Sequence, residues 1–235
     1  MQEEQAGQED RAGHGPRVSL LPRARPEVSP PPAVPGGSAK VVPQPSGLAA
    51  IFGKHRVPQA EREGNGWICG DRGIHGTRIA EITSPVEGCG IPAPVRVTGV
   101  AGLALDPPAV IDCTTARTLQ RWIRSGLKPA VGRRGGGVVK LHIAASYVCR
   151  PRNNRKGARI SEHGLGHAVD ISEFTLRDGT VRSVAKDYRA TRWMHAAYGA
   201  ACGIFGTTLG PGSDGYHKTH FHFDTAHYRG GPYCR

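Results

Sequence analysis

The order of hydrophobic and polar positions from residue 113 to residue 149 predicts a helix followed by a strand. The stretch "CTTARTLQRWIRSG" has the period of a helix that ends near Gly126. The residues on its apolar face are Ala116, Leu119, Trp122 and Ile123. The stretch "VVKLHIAASYVC" alternates with a period of two, which is typical of a half-buried strand. The residues on its apolar side are Val139, Leu141, Ile143, Ala145 and Tyr147.

The C-terminal part of the chain continues with a hairpin, a helix, a loop and a strand. The stretch "ISEFTLRDGTVRSV" predicts a hairpin that turns at Asp178 and Gly179, and "DYRATRWMHAAYGAACGIF" predicts a second helix. The stretch "GTTLGPGSDGYHKT" predicts a long loop, and "HFHFDTA" predicts the final strand. Because strands and helices do not alternate regularly, we expect an α+β fold with a central antiparallel sheet and flanking helices.

Composition divides the chain into a spacer and a folded domain. Residues 1–47 hold nine of the 19 prolines and no aromatic residue, which predicts a disordered or polyproline-type segment. Residues 48–64 form a lead-in, and we place the folded domain at residues 65–235. No run in the sequence reaches the roughly 18 apolar residues of a membrane helix, so no transmembrane segment is predicted.

The net charge of +12 favours an anionic partner. Five acidic and five basic residues cancel within residues 1–47, so the whole excess belongs to the rest of the chain. Nucleic acid, an anionic envelope polymer and acidic lipid headgroups all fit such a charge. The sequence shows neither a long Lys/Arg block nor a pattern of base-stacking aromatic residues, so no specific nucleic-acid binding is expected.

Six well-separated cysteines indicate disulfides in an oxidising compartment, with free thiols in a cytosolic protein as the alternative. They are Cys69, Cys89, Cys113, Cys149, Cys202 and Cys234, and they contain no Cys-x-x-Cys pair. Six cysteines allow about 15 pairings, among which the sequence does not choose. The stretch "MQEEQAGQEDRAGHG" lacks the features of a signal peptide. The expected periplasmic or extracellular location therefore requires a start further upstream or another export route.

Two short stretches concentrate imidazole and carboxylate groups. In "SEHGLGHAVDI" the glycines permit a tight path that turns His163 back toward Asp170. In "HFHFD" the strand period puts His220, His222 and Asp224 on one face and the two phenylalanines on the other. Two histidines and one aspartate leave a fourth position for water, as in a catalytic Zn²⁺ site. The alternative interpretation is a set of surface polar residues near a turn.

These stretches resemble two related families. "SEHGLGHAVDI" resembles the Ser-x-His-x-x-Gly-x-Ala-x-Asp motif of the LAS metallopeptidases, which are zinc D-alanyl-D-alanine carboxypeptidases and endopeptidases. The wider pattern is similar to the bacterial extensin-like C-terminal domain family over residues 67–235, all six cysteines included. Its pieces are "CGIPAPV", "YVCRPRNN", "ARISEHGLGHAVDISEF", "LGPGSDGYHKTHFHFD" and the terminal "YCR". The resemblance implies a hedgehog/DD-peptidase-like domain.

The resemblance also implies roles for single residues. His163 and Asp170 match the first two zinc ligands of the LAS peptidases. "HKTHFH" is similar to the ending of the penicillin-insensitive murein endopeptidases, in which the last histidine binds zinc. On that match His222 is the third ligand, and His220 or His217 acts as the base or stabilises the transition state. The other register makes His220 the ligand and His217 the base.

Three further positions complete the expected site. Arg150 in "YVCRPRNN" is the implied contact to the substrate or the developing oxyanion, with Arg152 as the second candidate. Ser161 is expected to orient the site through a hydrogen bond to a ligand. Thr219 stands where many LAS peptidases carry a general-base glutamate. The resemblance thus implies a zinc carboxypeptidase or endopeptidase of peptidoglycan, or else a non-catalytic envelope-binding or structural module that retains the metal site.

Overall fold

A computed structural model describes residues 66–228 and 230–235 of the chain. The predicted proline-rich segment, residues 1–47, and the predicted lead-in, residues 48–64, lie outside the described residues. Within the described part, no helix has both the length and the apolar character needed to cross a membrane.

The described residues form a large sheet, a two-stranded ribbon and several short helices. In chain order the strands are β1 (Trp67–Ile68), β2 (Asp71–Arg78), β3 (Ile82–Thr83), β4 (Gly90–Ile91), β5 (Val95–Val100), β6 (Leu103–Ile111), β7 (Val138–Ala145), β8 (Ala168–Leu176), β9 (Val181–Ser183), β10 (Thr207–Leu209), β11 (Phe221–Asp224) and β12 (Tyr233–Cys234). The α-helices are α1 (Cys113–Trp122), α2 (Lys128–Val131), α3 (Val184–Asp187) and α4 (Arg192–Gly199). Single turns of 3-10 or π type lie at Ile123–Leu127, Arg134–Gly136, Arg152–Asn154, Glu162–Leu165 and Tyr188–Ala190.

The predicted central sheet with helices is present, but the sheet is mixed rather than antiparallel throughout, so that part of the prediction was wrong. Its strand order is β1-β2-β5-β6-β7-β8-β11-β10-β12, with β9 paired to β8. Most neighbours are antiparallel, but β6 pairs with β7, and β10 with β12, in parallel. Strands β6 and β7 run in parallel because of the segment that connects them. Residues 112–137 contain α1 and α2, and a helical crossover of this length brings the chain back in the same direction.

Helix α1 and the first residue of the turn that follows it bury the predicted apolar face. All four predicted residues are 0% exposed: Ala116, Leu119, Trp122 and Ile123. Gly126 does not end the helical path, contrary to the prediction, because the chain continues through the turn Ile123–Leu127 into α2. A Cβ at Gly126 would lie 2.9 Å from the Cβ of Ala200, so this glycine serves close packing against the segment after α4.

Strand β7 follows the predicted alternation in its centre and departs from it at both ends. Leu141 and Ile143 are buried as predicted, whereas the strand ends before Tyr147. Val138 rather than Val139 is the buried residue at the start, because the pairing with β8 shifts register there. A register shift exchanges the two faces of a strand, and the local sequence pattern does not predict it.

The later elements agree with the prediction in kind and differ in extent. The hairpin at Asp178 and Gly179 is formed by β8 and β9, and Gly179 takes the positive φ of 87° that its turn requires. The predicted second helix is shorter, since α4 follows a separate turn at Tyr188–Ala190. Strand β10 forms inside the predicted loop and β12 follows β11, so "HFHFDTA" is not the final strand. Strands this short depend on their partners in the sheet.

Three disulfides join the six cysteines, which confirms the prediction of disulfides. The pairs are Cys69–Cys113, Cys89–Cys149 and Cys202–Cys234. A bridge of this kind typically contributes about 2–4 kcal/mol by restricting the unfolded chain. Such bridges persist in an oxidising compartment.

Candidate metal centre

Three predicted site residues meet where β8 and β11 pair. His163 lies in the turn Glu162–Leu165, Asp170 in β8 and His222 in β11. The antiparallel register places His222 directly opposite Asp170. Gly166 ends the turn in the left-handed region at a φ of 71°, and a Cβ there would lie 2.4 Å from Ile91. The tight turn that brings His163 to the sheet therefore requires this glycine.

The donor atoms of these three residues are packed around one point. His222 Nδ1 lies 2.8 Å from Asp170 Oδ1, and His163 Nε2 lies 3.2 Å from the same oxygen. The two inward nitrogens are 3.1 Å apart. One ligand atom from each residue falls within 4.8 Å of the others, so these groups have the spacing to hold a metal ion. The residues are only 1%, 4% and 7% exposed for His163, Asp170 and His222.

Each imidazole is fixed from its outer side by a group that only accepts hydrogen bonds. His163 Nδ1 lies 2.6 Å from the carbonyl oxygen of Ser146, and His222 Nε2 lies 3.2 Å from Asp224 Oδ2. Both outer nitrogens must therefore donate. A neutral imidazole then presents its lone pair at the inward nitrogen. Asp224 is itself held, since its Oδ1 accepts from the backbone N–H of Ala226 at 3.0 Å.

With neutral imidazoles, two lone pairs and the Asp170 carboxylate would face each other at about 3 Å. This arrangement is unfavourable unless a positive charge lies between them. A proton on His222 is one solution, and a divalent cation bound by all three donors is another. Two nitrogens and a carboxylate oxygen form a donor set that Zn²⁺ accepts. The residues present therefore fit the metal that the sequence predicts.

In the absence of a metal ion, the pKa values of His222 and Asp170 indicate where the positive charge of the centre lies. Burial by itself would lower the pKa of His222, but hydrogen bonds to the carboxylates of Asp170 and Asp224 raise the pKa to about 9. Burial by itself would raise the pKa of Asp170, but hydrogen bonds from His163 and His222 hold that pKa well below its usual range. Without a metal the centre thus keeps a charged aspartate beside a histidine that favours its protonated form.

The other two predicted histidines lie at the edge of this centre and have different partners. His217 Nδ1 lies 2.8 and 2.9 Å from the two carboxylate oxygens of Asp214. Since the carboxylate accepts, Nδ1 carries the proton and Nε2 of a neutral His217 is left with the lone pair. His220 Nε2 lies 3.5 Å from Asp170 Oδ2, whereas His163 and His222 contact Oδ1 of the same carboxylate. Burial lowers the pKa of His220.

A cleft of about 190 Å³ opens onto the centre. Its lining includes His163, His217 and His222 together with Arg150, Arg152 and Ser161. Arg152 donates to Glu162 Oε1 at 3.0 Å. The guanidinium of Arg150 forms no hydrogen bond or ion pair with any described residue, so it remains available to a bound anion.

The structure places the sequence-predicted residues together, except that the orienting contacts come from other groups. Ser161 is buried at the cleft wall, and its side chain does not cap the turn that carries His163. The contacts predicted for Ser161 are made instead by the Ser146 carbonyl and by Asp224. Asp224 had a sequence signal, since the period of "HFHFD" puts it on the histidine face. Asp214 and the Ser146 carbonyl had none.

The model of the family described as "Extensin-like protein C-terminus" matches residues 70–235. Neither a curated protein nor a solved structure matches the chain.

Proposed function

This chain belongs to the extensin-like protein C-terminus family, and we propose that it is a zinc-dependent peptidase, a carboxypeptidase or an endopeptidase, acting on the peptides of peptidoglycan. One observation carries the proposal. Two imidazole lone pairs and a carboxylate converge at about 3 Å beside an open cleft. The proposal includes a hedgehog/DD-peptidase-like arrangement of the sheet and a periplasmic or extracellular location, which suits three disulfides.

His163 Nε2, Asp170 Oδ1 and His222 Nδ1 would hold the metal. Three protein ligands leave a further coordination position for water or substrate, as in catalytic zinc sites. Bound there, zinc would polarise a scissile carbonyl and lower the pKa of a water molecule. The tautomers imposed by the Ser146 carbonyl and Asp224 keep the two nitrogens ready for the ion.

We assign the general base to His217 rather than His220. His217 lines the cleft, and Asp214 holds the proton on Nδ1 so that Nε2 is free to accept one. His220 lies against Asp170 Oδ2, where it orients the carboxylate. In this assignment His217 takes a proton from the attacking water at Nε2 and returns it to the leaving amine, and Asp214 fixes the ring during both transfers.

Arg150 is the proposed contact for the negative charge that develops on the scissile carbonyl oxygen. Its guanidinium lines the cleft and has no partner among the described residues. A planar guanidinium can donate two hydrogen bonds to a carboxylate or an oxyanion. Arg152 is less suited to the role because Glu162 already accepts from it at 3.0 Å.

A second candidate function is an envelope-binding or structural module that retains the metal and releases no product. Thr219 favours it, because many peptidases with this motif have a glutamate base at that position. In this function the cleft and its arginines would bind a wall component without cleaving it.

One experiment separates the two candidates. The purified protein, loaded with zinc, is incubated with isolated peptidoglycan, and new amine termini are counted over time. A peptidase releases amines, Asp170→Asn abolishes the release, and a chelator does the same. The control His167→Gln changes a histidine of the same motif that is not one of the three candidate ligands. This variant is expected to release amines like the native protein. Co-sedimentation with the wall material without any release would replace the peptidase by the binding module.

A further inference from the structure

We propose that residues 150–159, a basic hairpin beside the cleft, form a docking surface for a carboxylate-bearing polymer. The inference deepens the proposed function, and it rests on that function for the nature of the polymer. The hairpin would hold the polymer so that its peptides reach the metal centre.

Backbone hydrogen bonds give the basic hairpin a defined shape. The N–H of Arg152 donates to the carbonyl of Arg159 at 2.9 Å, and the N–H of Ser161 donates to the carbonyl of Arg150 at 3.0 Å. Pro151 and Ile160 form an antiparallel bridge between these bonds. The two arms therefore run side by side and present their side chains from a paired backbone.

The charge of the basic hairpin is almost unopposed. Five of its ten residues are Arg or Lys and none is Asp or Glu. Within the described part of the chain these five form one ion pair, between Arg152 and Glu162. Arg155, Lys156 and Arg159 are exposed, and their side chains have no hydrogen-bond or ion-pair partner among the described residues. Clustered like charges attract an anionic partner of matching length.

A second basic surface differs from the basic hairpin, because most of its arginines already have acceptors within the protein. Arg134, Arg182 and Arg192 line another depression, of about 390 Å³. There Arg182 pairs with Asp187 at 3.4 Å, and Arg134 donates to the carbonyl of Val131 at 3.0 Å. Internal acceptors therefore already hold two of those three guanidinium groups. The three outer cations of the basic hairpin have no such acceptor.

The basic hairpin is anchored directly to the metal centre. The disulfide Cys89–Cys149 fixes the chain one residue before it. Arg152 binds Glu162, the neighbour of the candidate ligand His163. Arg150, Arg152 and Asn153 line the cleft itself. A polymer seated on Arg155, Lys156 and Arg159 would therefore lie at the cleft mouth, where tethering raises the local concentration of its side branches.

The side chains of the basic hairpin limit the kinds of polymer that it can bind. Guanidinium groups match carboxylates and phosphates in bidentate geometry. No aromatic residue occurs in residues 150–159, so the basic hairpin itself offers no ring on which unpaired bases would stack. The peptides of the proposed substrate carry free carboxylates, so the proposed partner is a carboxylate-bearing polymer rather than a phosphate polymer.

The inference is tested by measuring how fluorescent poly-L-glutamate binds to the full-length protein. Fluorescence anisotropy at several salt concentrations gives the affinity and its salt dependence. The triple variant R155Q/K156Q/R159Q is expected to bind about tenfold more weakly with a shallower salt dependence. The matched control R133Q/K186Q/R189Q removes the same charges from other exposed positions and is expected to change affinity less than about threefold. Equal losses in both variants, or no binding by the native protein, would overturn the inference. Tighter binding to polyphosphate of equal charge would do the same.

Asp170→Asn separates this inference from the proposed function, since it removes a metal ligand and leaves the basic hairpin unchanged. We expect the variant to bind poly-L-glutamate with native affinity. If peptidoglycan is not cleaved but the triple variant still loses binding, the docking surface stands and the peptidase does not. If cleavage occurs and the triple variant binds normally, the docking surface is wrong and the peptidase stands.

Discussion

The two faces of β11 are buried to nearly the same extent but have different roles: one packs in the hydrophobic core, and the other carries the candidate metal centre. Phe221 and Phe223 are 0% exposed on one face, and His222 and Asp224 are 7% and 3% exposed on the other. The apolar face stabilises the fold by leaving water and filling space. The polar face gains nothing from leaving water unless each nitrogen and oxygen finds a partner. Burial alone therefore does not distinguish a core from a site.

Contacts on the two faces show the same contrast. Phe223 packs edge-on against Trp122 with ring centroids 5.0 Å apart and stacks on Phe205 at 4.9 Å. Trp122 uses its only polar atom to donate to the carbonyl of Ala197 at 2.8 Å. On the other face His222 lies between two carboxylates, those of Asp170 and Asp224. We expect substitutions on the first face to change stability and those on the second to change metal affinity.

The largest effect is expected on the apolar face. Phe223→Ala removes a fully buried ring and should lower the free energy of unfolding by about 3–5 kcal/mol. Denaturant titration of the metal-free protein measures it. The control Tyr216→Ala changes a side chain that is 55% exposed and should cost less than about 0.5 kcal/mol. A loss below about 1 kcal/mol for Phe223→Ala would show that this face is not the main source of stability.

The disulfide Cys202–Cys234 should give the next largest effect. It closes a separation of 32 residues and ties β12 to the segment after α4. The double variant C202S/C234S should lose about 2–4 kcal/mol of unfolding free energy while keeping its metal affinity, because neither cysteine touches the centre. Unfolding curves and zinc titration of the same preparation check both statements. A loss of zinc binding with the fold intact would mean that stability and metal binding are coupled across the molecule.

A smaller effect, on affinity alone, is expected on the polar face. Asp224→Asn keeps the shape but weakens the acceptor for His222 Nε2, so zinc affinity should fall about 10- to 100-fold. Isothermal titration measures it. The matched control Asp214→Asn loosens His217, which is not among the three proposed ligands, and should leave zinc affinity unchanged. Equal falls in both variants would contradict the assignment of His222 and His217 to different roles.

The smallest effect concerns a pair at the rim. The hydrogen bond to Glu162 raises the pKa of His167 above its ordinary value of 6.5. A raised pKa in the folded state gives stability that is fully present below 6.5 and is lost as the pH rises through the raised value. The difference in unfolding free energy between the native protein and His167→Gln should thus shrink from pH 6 to pH 9. Because His167 is 38% exposed, we expect less than about 1 kcal/mol. A difference that grows with pH would refute the assignment.

The sequence predicted those parts of the molecule that short-range patterns control. The period of two in "HFHFD" separates the phenylalanines from His222 and Asp224, and the turn residues Asp178 and Gly179 mark their hairpin. Both signals are complete within a few residues. The helix face of α1 was predictable for the same reason.

What remained unpredicted depends on distant partners. Gly126 resembles a helix stop in sequence, yet its role is set by Ala200 some seventy residues further on. The parallel pairing of β6 with β7 and the pairing of the cysteines follow from the path of the whole chain. The Ser146 carbonyl is a backbone atom, so no residue type marks its contact with His163. Orienting groups of this kind become visible only with the fold.

Zinc content per chain tests the central claim most directly. The native protein and Asp170→Asn are dialysed against zinc and then against metal-free buffer, and zinc and protein are quantified in each, with circular dichroism to confirm folding. We predict about one zinc per native chain and almost none in the folded variant, because Asp170 faces both candidate imidazoles. No retained zinc in the native protein, or equal zinc in both proteins, would contradict the metal centre and with it the proposed peptidase.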